Sequence, residues 1–467
     1  MALKVISINF QDLKKEIYQR MDAKYFIIHN LFDELSKTRG YNVKTIEELE
    51  NNISSGSYID TYISKDQGIR YLRVSDVKPF NINENDRNLV YVPANVPEKI
   101  KVKQGDIIVA RTEATIEKLG VSSIIDNMLE GSAISQHLSK ITVKPKIISP
   151  YYLLSYLNSK FFKIQMQTAT QGDTRVELTH SQLRKIKVFI PPTEVSNQID
   201  EDVRCIVQLG TKSTTLLEKA KDMLRKELNL PSHSLGESYY VSTSKKDISD
   251  FGAWDVNAFS PVYVGIEEYL KKKFKCKPLG TIITPHRGIE VGSENYKTYL
   301  SKLDTDYAFI RTSDIINNEV DIYPDYFISL DDINPKKAKL NAGDLIFSTD
   351  GKIAEVAVAS KFDKAIASSG FRKLELQTNE EDITKEYLFT VLSLDETGFY
   401  PAIRRTVIAS TIPHLREERL KEIPIPVIET EKINKISSLV LEAFKLKDQR
   451  KELMLKIINK IDNLFDL

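Results

Sequence analysis

The chain is written twice, and that repetition limits its fold more than any other feature. Tyr71-Leu72-Arg73-Val74-Ser75-Asp76-Val77 recurs 238 residues on as Phe309-Ile310-Arg311-Thr312-Ser313-Asp314-Ile315. Val102-Lys103-Gln104-Gly105-Asp106-Ile107-Ile108 recurs at the same spacing as Leu340-Asn341-Ala342-Gly343-Asp344-Leu345-Ile346. Two motifs holding one offset mark a tandem duplication, so each copy must satisfy its own core. Weaker matches follow. Met21-Asp22-Ala23 with Tyr25-Phe26 resembles Trp254-Asp255-Val256 with Ala258-Phe259, offset by 233 residues. His180, Ile186-Lys187 and Pro192 match His414, Leu420-Lys421 and Pro426, offset by 234.

Each copy has the same internal order. A mixed region comes first, with short β-type runs such as Asp106–Arg111 and Lys140–Lys144 set between Gly-Asp and Asn/Pro turns. Within it a helix is expected over Ser149–Gln167, with Ser149 as N-cap and Pro150 in the first turn. Its counterpart begins near Thr384. Proline-bounded strands, Ile186–Pro192 and Ile423–Pro426, close the two regions.

Beyond each closing strand the pattern changes to apolar steps of three and four. In the first segment the stripe runs Val195, Ile199, Ile206, Leu209, Leu216, Ala220 and Met223, interrupted at Asp202 and Ser213. In the second it runs Ile433, Ile436, Val440 and Ala443, then Met454, Ile457, Ile461 and Leu464, interrupted at Lys447 and Arg450. Two such helices, one after each copy, suit a mutual antiparallel coiled coil. The expected fold class is α/β (α+β): two homologous domains, each followed by a long helix. The expected boundaries are 1–193 for the first domain and 194–230 for its helix. A linker and the second domain take 231–427, and the second helix takes 428–467.

Composition decides less. A length of 467 residues exceeds one ordinary core. A net charge of +1, from 66 basic and 65 acidic residues, leaves function open, because phosphate binding needs a local basic face. No apolar run reaches the roughly 18 residues that cross a bilayer, and the charged N-terminal segment does not read as a signal peptide, so a cytoplasmic address is expected. Cys205 and Cys276 stand apart without a CxxC pair and read as reduced, mostly buried thiols.

Catalytic signatures are missing from the sequence. There is no P-loop, no dinucleotide fingerprint and no metal-ligand spacing among the six histidines. Pro191-Pro192 lacks the polar and aromatic flanks of an amino-methyltransferase motif, and Pro324-Asp325 lacks a following Glu-x-Lys. His180 and His414, read as equivalent, fit a hydrogen-bonding role better than catalysis, since no nucleophile or carboxylate repeats beside them.

An Arg-x-Ser-Asp strand, a Gly-Asp-hydrophobic turn, a "Lys-x-x-x-Pro-Pro" or "Lys-x-x-Pro-x-Pro" closing strand and a long helix occur in this order in both halves. Together they resemble the specificity subunit of type I restriction–modification systems, over essentially the whole chain. The second half has Pro424-Ile425-Pro426 in place of adjacent prolines, and Glu194 and Glu429 lack the glutamine often paired there. The resemblance implies two target-recognition domains reading unlike halves of a split DNA target, and two helices fixing the gap. It also implies methyltransferase subunits, two in number and carrying S-adenosylmethionine, and a translocating endonuclease subunit. This chain itself would hold no cofactor.

Base edges favour Arg, Gln and Asn with Ser and Thr in support. Candidate DNA contacts are therefore Arg111 and Thr112, Gln165, Gln167, Gln171 and Arg175 in the first copy. In the second they are Ser348, Thr349, Arg404 and Arg405. Arg73 and Arg311 repeat unchanged, which suits a scaffold ion pair or a shared phosphate contact better than the reading of unlike sequences. Two other readings stay open: a single-chain modification enzyme with an unfamiliar motif, and an interaction scaffold without a DNA role. A recognition subunit of another bipartite-site restriction system is close to the leading reading.

Overall fold

Gly105 and Gly343 sit at φ +87° and +80° in the computed structural model, a conformation that favours glycine. The following aspartates finish the turn: Asp106 accepts from the Lys103 N–H and Asp344 from the Asn341 N–H, both at 2.8 Å. The Arg-x-Ser-Asp motif is likewise a turn. Asp76 and Asp314 are buried and accept from the main-chain N–H of Arg73 (2.9 Å) and Arg311 (2.8 Å). The guanidinium Nε atoms lie 3.5 and 3.6 Å from the same carboxylates. Of the two roles expected for these arginines, the structure shows the scaffold one.

The structure describes residues 37–38, 41–84, 87, 89–113, 119–169, 176–230, 242–252, 255–292, 300–301, 307–322, 324, 326–329, 335, 337–378, 380, 382–409 and 412–465. The Met21–Phe26 match and Trp254 lie outside them. The chain divides into two units: Met1–Gly210 with Arg450–Leu467, and Thr211–Gln449.

In the first unit β1 (Asn42–Thr45) leads into α1 (Ile46–Leu49), capped reciprocally by Thr45 and Glu48. Then follow β2 (Glu50–Ser55), β3 (Gly68–Leu72), the hairpin β4 (Val77–Lys78) and β5 (Asn81–Ile82), and β6 (Tyr91–Pro93). Next come β7 (Ile107–Ala110), β8 (Thr112–Glu113), β9 (Ser122–Ile124), β10 (Ala133–Ile134) and β11 (Leu138–Val143). An antiparallel sheet β2-β11-β7-β9 faces a sheet β10-β3-β6 across a core of Leu72, Val77, Ile108, Ile134 and Leu138. Helices α2 (Pro150–Leu157) and α3 (Lys160–Ala169) come next, then β12 (Val176–Glu177), α4 (His180–Arg184) and β13 (Lys187–Ile190). β13 pairs with β1, closing the unit. The helix expected over Ser149–Gln167 is therefore two. Ser149 caps the first as expected, but the chain breaks at Asn158, whose side chain bonds the main chain of Ser122 and Leu154.

Helix α5 (Thr193–Glu227) crosses from the first unit into the second. The second unit adds α6 (Lys245–Phe251), α7 (Pro261–Lys273), β14 (Lys275–Pro278), β15 (Ile283–Arg287), β16 (Leu300–Ser301) and β17 (Tyr307–Ile310). Then come the hairpin β18 (Ile315–Ile316) and β19 (Glu319–Val320), and β20 (Phe327–Ile328). β21 (Leu345–Ser348), β22 (Val356–Val358), β23 (Ala365–Ala367) and β24 (Phe371–Leu376) follow. The sheets β15-β24-β21-β22 and β16-β20-β17-β23 repeat the first unit's pair. Helix α8 (Lys385–Ser393), N-capped by Thr384 as expected, precedes α9 (Tyr400–Arg404). The ribbon β25 (Val407–Ala409) and β26 (Ile412–His414), α10 (Glu417–Lys421) and β27 (Pro424–Val427) complete it. The last helix, α11 (Thr430–Phe465), returns into the first unit.

The main chain corrects the 234-residue offset. Leu178 N–H donates to Arg111 C=O at 2.7 Å, and Leu415 N–H to Thr349 C=O at 2.8 Å, so Leu178 corresponds to Leu415. Strand β13 begins at Lys187 and β27 at Pro424, keeping that register. His180 therefore corresponds to Glu417, and His414 to Glu177. Pairing the two histidines slipped the alignment by three residues.

The long helices α5 and α11 pair antiparallel, as expected. In the first unit Lys460 lies 4.0 Å from Asp202, and Arg450 packs on Gly210. In the second Lys432 meets Glu227 at 2.8 Å, while Leu217, Ala220 and Leu224 share a core with Ile433, Ile436 and Val440. The seam of α5 differs in detail from the expected stripe. Ile199, Val203, Ile206, Gly210, Ser213, Leu217, Ala220 and Leu224 step by four and three without interruption. Ser213 belongs to the seam as a buried small residue, and Leu209, Leu216 and Met223 flank it. Nor do Lys447 and Arg450 break α11. Both are buried in its seam and cap hairpin turns: Lys447 Nζ donates to Asn317 C=O (2.8 Å) and Arg450 Nη2 to Phe80 C=O (3.3 Å). Cys205 and Cys276 are unpaired and half-buried, more open than expected.

Candidate functional site

In the first unit a polar cluster gathers where β7 ends. Arg111 Nη1 donates to Ser55 Oγ (2.5 Å) at the end of β2, and Nη2 to the carboxylate of Glu177 on β12. His180, the first residue of α4, lies with Nε2 3.0 Å from both Ser55 Oγ and Ser139 Oγ. Burial, and then the charges of Arg111 and Arg184, lower the His180 pKa below its usual 6.5. The ring is thus mostly neutral near pH 7, and the tautomer sets whether Nε2 donates to the two hydroxyl oxygens or accepts from one of them. Thr112 pairs with Glu177 across β8 and β12. The loop leaving Ser55 exposes Tyr58 and Tyr62.

The second unit builds its cluster at the same place from other residues. Arg287 ends β15 and stands directly opposite Arg372 on β24. Like charges in that position are unfavourable unless something anionic answers them. Arg372 Nη1 donates to the carbonyls of Ser369 and Phe371, both at 3.0 Å, and its Nε is 3.5 Å from Glu417. Burial lowers its pKa against the pull of Asp350, and Arg287 adds to the lowering. Arg287 remains 57% exposed and meets Glu290 at 2.5 Å. His414 Nδ1 lies 2.8 Å from Asp350 Oδ1.

Aligned by their main-chain bonds, the copies differ most here. Ser55 answers to Arg287, Ser139 to Arg372, Arg111 to Thr349, Thr112 to Asp350, Glu177 to His414 and His180 to Glu417. All are polar in both copies and none is the same. The supports beside them are kept: Gly56 and Gly288, Asp76 and Asp314, Leu178 and Leu415. A constant frame therefore presents two different arrays of donors and acceptors.

The ten residues expected from sequence fall into three groups. Arg111 and Thr112 lie in the first cluster. Gln167, whose side chain is not described, and Gln171 and Arg175 lie outside the described residues. The other five are committed internally, which corrects their assignment as contacts. Gln165 is buried, exchanging bonds of 2.9 Å with both the N–H and C=O of Lys187. Ser348 is buried, donating to Lys352 C=O and accepting from the Glu355 N–H at 2.7 Å. Thr349 stands at the second cluster but is buried against Gly370 and Arg372. Arg404 and Arg405 turn inward onto Glu267 at 3.1 and 2.7 Å. Sequence reasoning missed Ser55, Ser139, Glu177, Arg287, Arg372 and Asp350. The glycine after Ser55 and after Arg287 was the available signal, because it fixes both strand ends in one register.

Among the described residues no group of three or more His, Cys, Asp or Glu is placed to hold a metal ion. No helix there is long and apolar enough to cross a membrane.

The family model described as "Type I restriction modification DNA specificity domain" matches residues 38–223 and 289–463. Among solved structures the chain is similar to the S subunit of a type I restriction-modification system from M. genitalium. Identity is 13%, over 92% of this chain and 96% of that one, with a TM-score of 0.38. It is also similar to the HsdS subunit from Thermoanaerobacter tengcongensis: 14% identity, 92% and 96% coverage, TM-score 0.29. No curated relative matches the chain.

Proposed function

Since the chain belongs to the type I restriction modification DNA specificity family, we propose that its two copies read unlike halves of one interrupted DNA target. The protein is a DNA-recognition subunit, not the catalyst. The recognition domains are residues 1–193 and 231–427, and the helices within 194–230 and 428–467 set the gap. One observation carries this reading: the equivalent positions of the two clusters all stay polar and all differ on a frame that does not change, and four of them, Ser55/Arg287, Thr112/Asp350, Glu177/His414 and His180/Glu417, are at least partly open to solvent in both copies. Phosphate contacts would tolerate identical side chains in both copies, whereas base edges of different sequence demand different ones.

Helix α5 holds 35 residues, about 50 Å at 1.5 Å each, against roughly 34 Å for a turn of B-DNA. The half-sites are then separated by an undefined spacer of several base pairs. Methyltransferase subunits, two per chain and holding S-adenosylmethionine, dock along the helices, and a translocating endonuclease subunit joins them in the cytoplasm. Arg111 reads the first half-site, with Thr112, Glu177 and His180 beside it. Arg287 and Asp350 read the second.

Mapping of N6-methyladenine in cells that also express the methyltransferase tests this. Deleting the gene removes one asymmetric interrupted motif. Arg111→Ala relaxes or weakens one half-site by roughly tenfold to a hundredfold and leaves the other unchanged. An unchanged methylome on deletion would overturn the reading in favour of an interaction scaffold.

A further inference from the structure

The ribbon of β25 and β26 stands at the second cluster. Its register pairs Val407 with His414 and Ala409 with Ile412, so Val407, Ile412 and His414 share one face. Val407 is 42% and Ile412 50% exposed, and they are among the few large apolar side chains left open among the described residues. Exposed β-branched residues on a two-stranded ribbon invite unwanted strand pairing, so they call for a partner.

The ribbon's base is fixed to the cluster. His414 bonds Asp350 at 2.8 Å, Gly351 N–H donates to Pro413 C=O at 3.1 Å, and Leu415 N–H donates to Thr349 C=O at 2.8 Å. Arg287 stands 57% exposed at the same cluster as a cation that a phosphate would answer, whereas Arg372 is buried beside Glu417. The major groove admits a two-stranded ribbon, and the thymine 5-methyl is the apolar group that base pairs display there.

We infer that Val407 and Ile412 form an apolar seat for a thymine methyl in the major groove of the second half-site. This rests on the DNA-reading function proposed above.

The test uses the assembled complex of this chain with its methyltransferase, and duplex targets in which deoxyuridine replaces thymine in one half-site at a time. Arg111→Ala identifies which half-site belongs to which copy. Uracil in the second half-site is expected to weaken binding about three- to tenfold, the scale of one lost methyl contact. The double variant Val407→Ser with Ile412→Ser should bind thymine and uracil targets equally. Equal binding of both targets by the unaltered protein would overturn the inference, as would a second half-site with no thymine on either strand. So would a double variant that still prefers thymine. If binding ignores half-site sequence altogether, it is the DNA-reading function that fails. If sequence matters and the methyl does not, only the thymine seat fails.

Discussion

Gly288→Ala should lower the melting temperature of the second unit by on the order of 10 °C, and Gly56→Ala should do the same to the first. A Cβ at Gly288 would stand 2.0 Å from Ser368 C=O and 2.5 Å from Ala367 C=O. At Gly56 it would stand 1.9 Å from Ile134 C=O and 2.4 Å from Ser135 C=O. The obstructing atoms are main chain, so no side chain can swing aside. They also belong to paired structure: Ile134 lies in β10 against β3, and Ala367 in β23 against β17. The methyl must therefore push the end of β2 or β15 off its sheet. Overpacking of this kind costs about 3 kcal/mol or more. Thermal melts of each variant, with hydrogen exchange to show which unit opens, would check it. A shift of less than about 2 °C in the affected unit would show that the strand end relaxes freely. The same variants should damage one half-site each, because Gly56 and Gly288 follow Ser55 and Arg287 in the two clusters.

The frame of the molecule was legible because its devices are local. A Gly-Asp turn needs glycine at positive φ and an acceptor immediately after it, so both copies keep the pair and the 238-residue offset shows. The long helices were legible for a similar reason, since steps of three and four are read along the chain. What escaped is long-range. Lys447 and Arg450 looked like breaks in a stripe because the carbonyls they cap, at Asn317 and Phe80, lie far away in sequence. Gln165 looked like a donor leaving a helix, but the main chain of Lys187 takes both ends of its amide.

The site was half legible for a reason built into its work. On the proposed reading, positions that read different bases must differ between copies, so a search for repeated residues passes over them. His180 and His414 attracted attention because they are identical in type, yet they are not equivalent in place. The useful signal was the opposite one, polar residues that change beside glycines and leucines that do not. Arg111 stood out because it follows the kept Gly-Asp strand. Arg287 and Arg372 were not, because only the β15–β24 register sets them face to face.

Glu267→Ala should destabilise the second unit by about 3–5 kcal/mol near neutral pH, the cost of leaving buried charge unpaired. Glu267 is buried on α7, and its two oxygens take Arg405 at 2.7 and 2.8 Å, Arg404 at 3.1 Å and Lys271 at 2.6 Å. Phe251 stacks on the same group, with Arg404 4.1 Å and Arg419 4.4 Å from its ring centre. Burial pushes the Glu267 pKa up, but the hydrogen bonds and charge of Arg405, then Lys271 and Arg404, outweigh it and hold the group at about 2 against an ordinary 4.5. A depressed carboxylate stabilises the fold fully above its unfolded pKa and loses that contribution as pH falls toward the folded value. The whole contribution is about 3 kcal/mol, and about 2 kcal/mol of it is gone by about pH 3. Denaturant unfolding of both proteins at neutral pH and near pH 3 gives the check. The gap between wild type and Glu267→Ala should narrow on acidification, because the variant has no such carboxylate to protonate. A gap of constant size would mean that Arg404 and Arg405 are held by packing around Phe251 and not by the charge of Glu267.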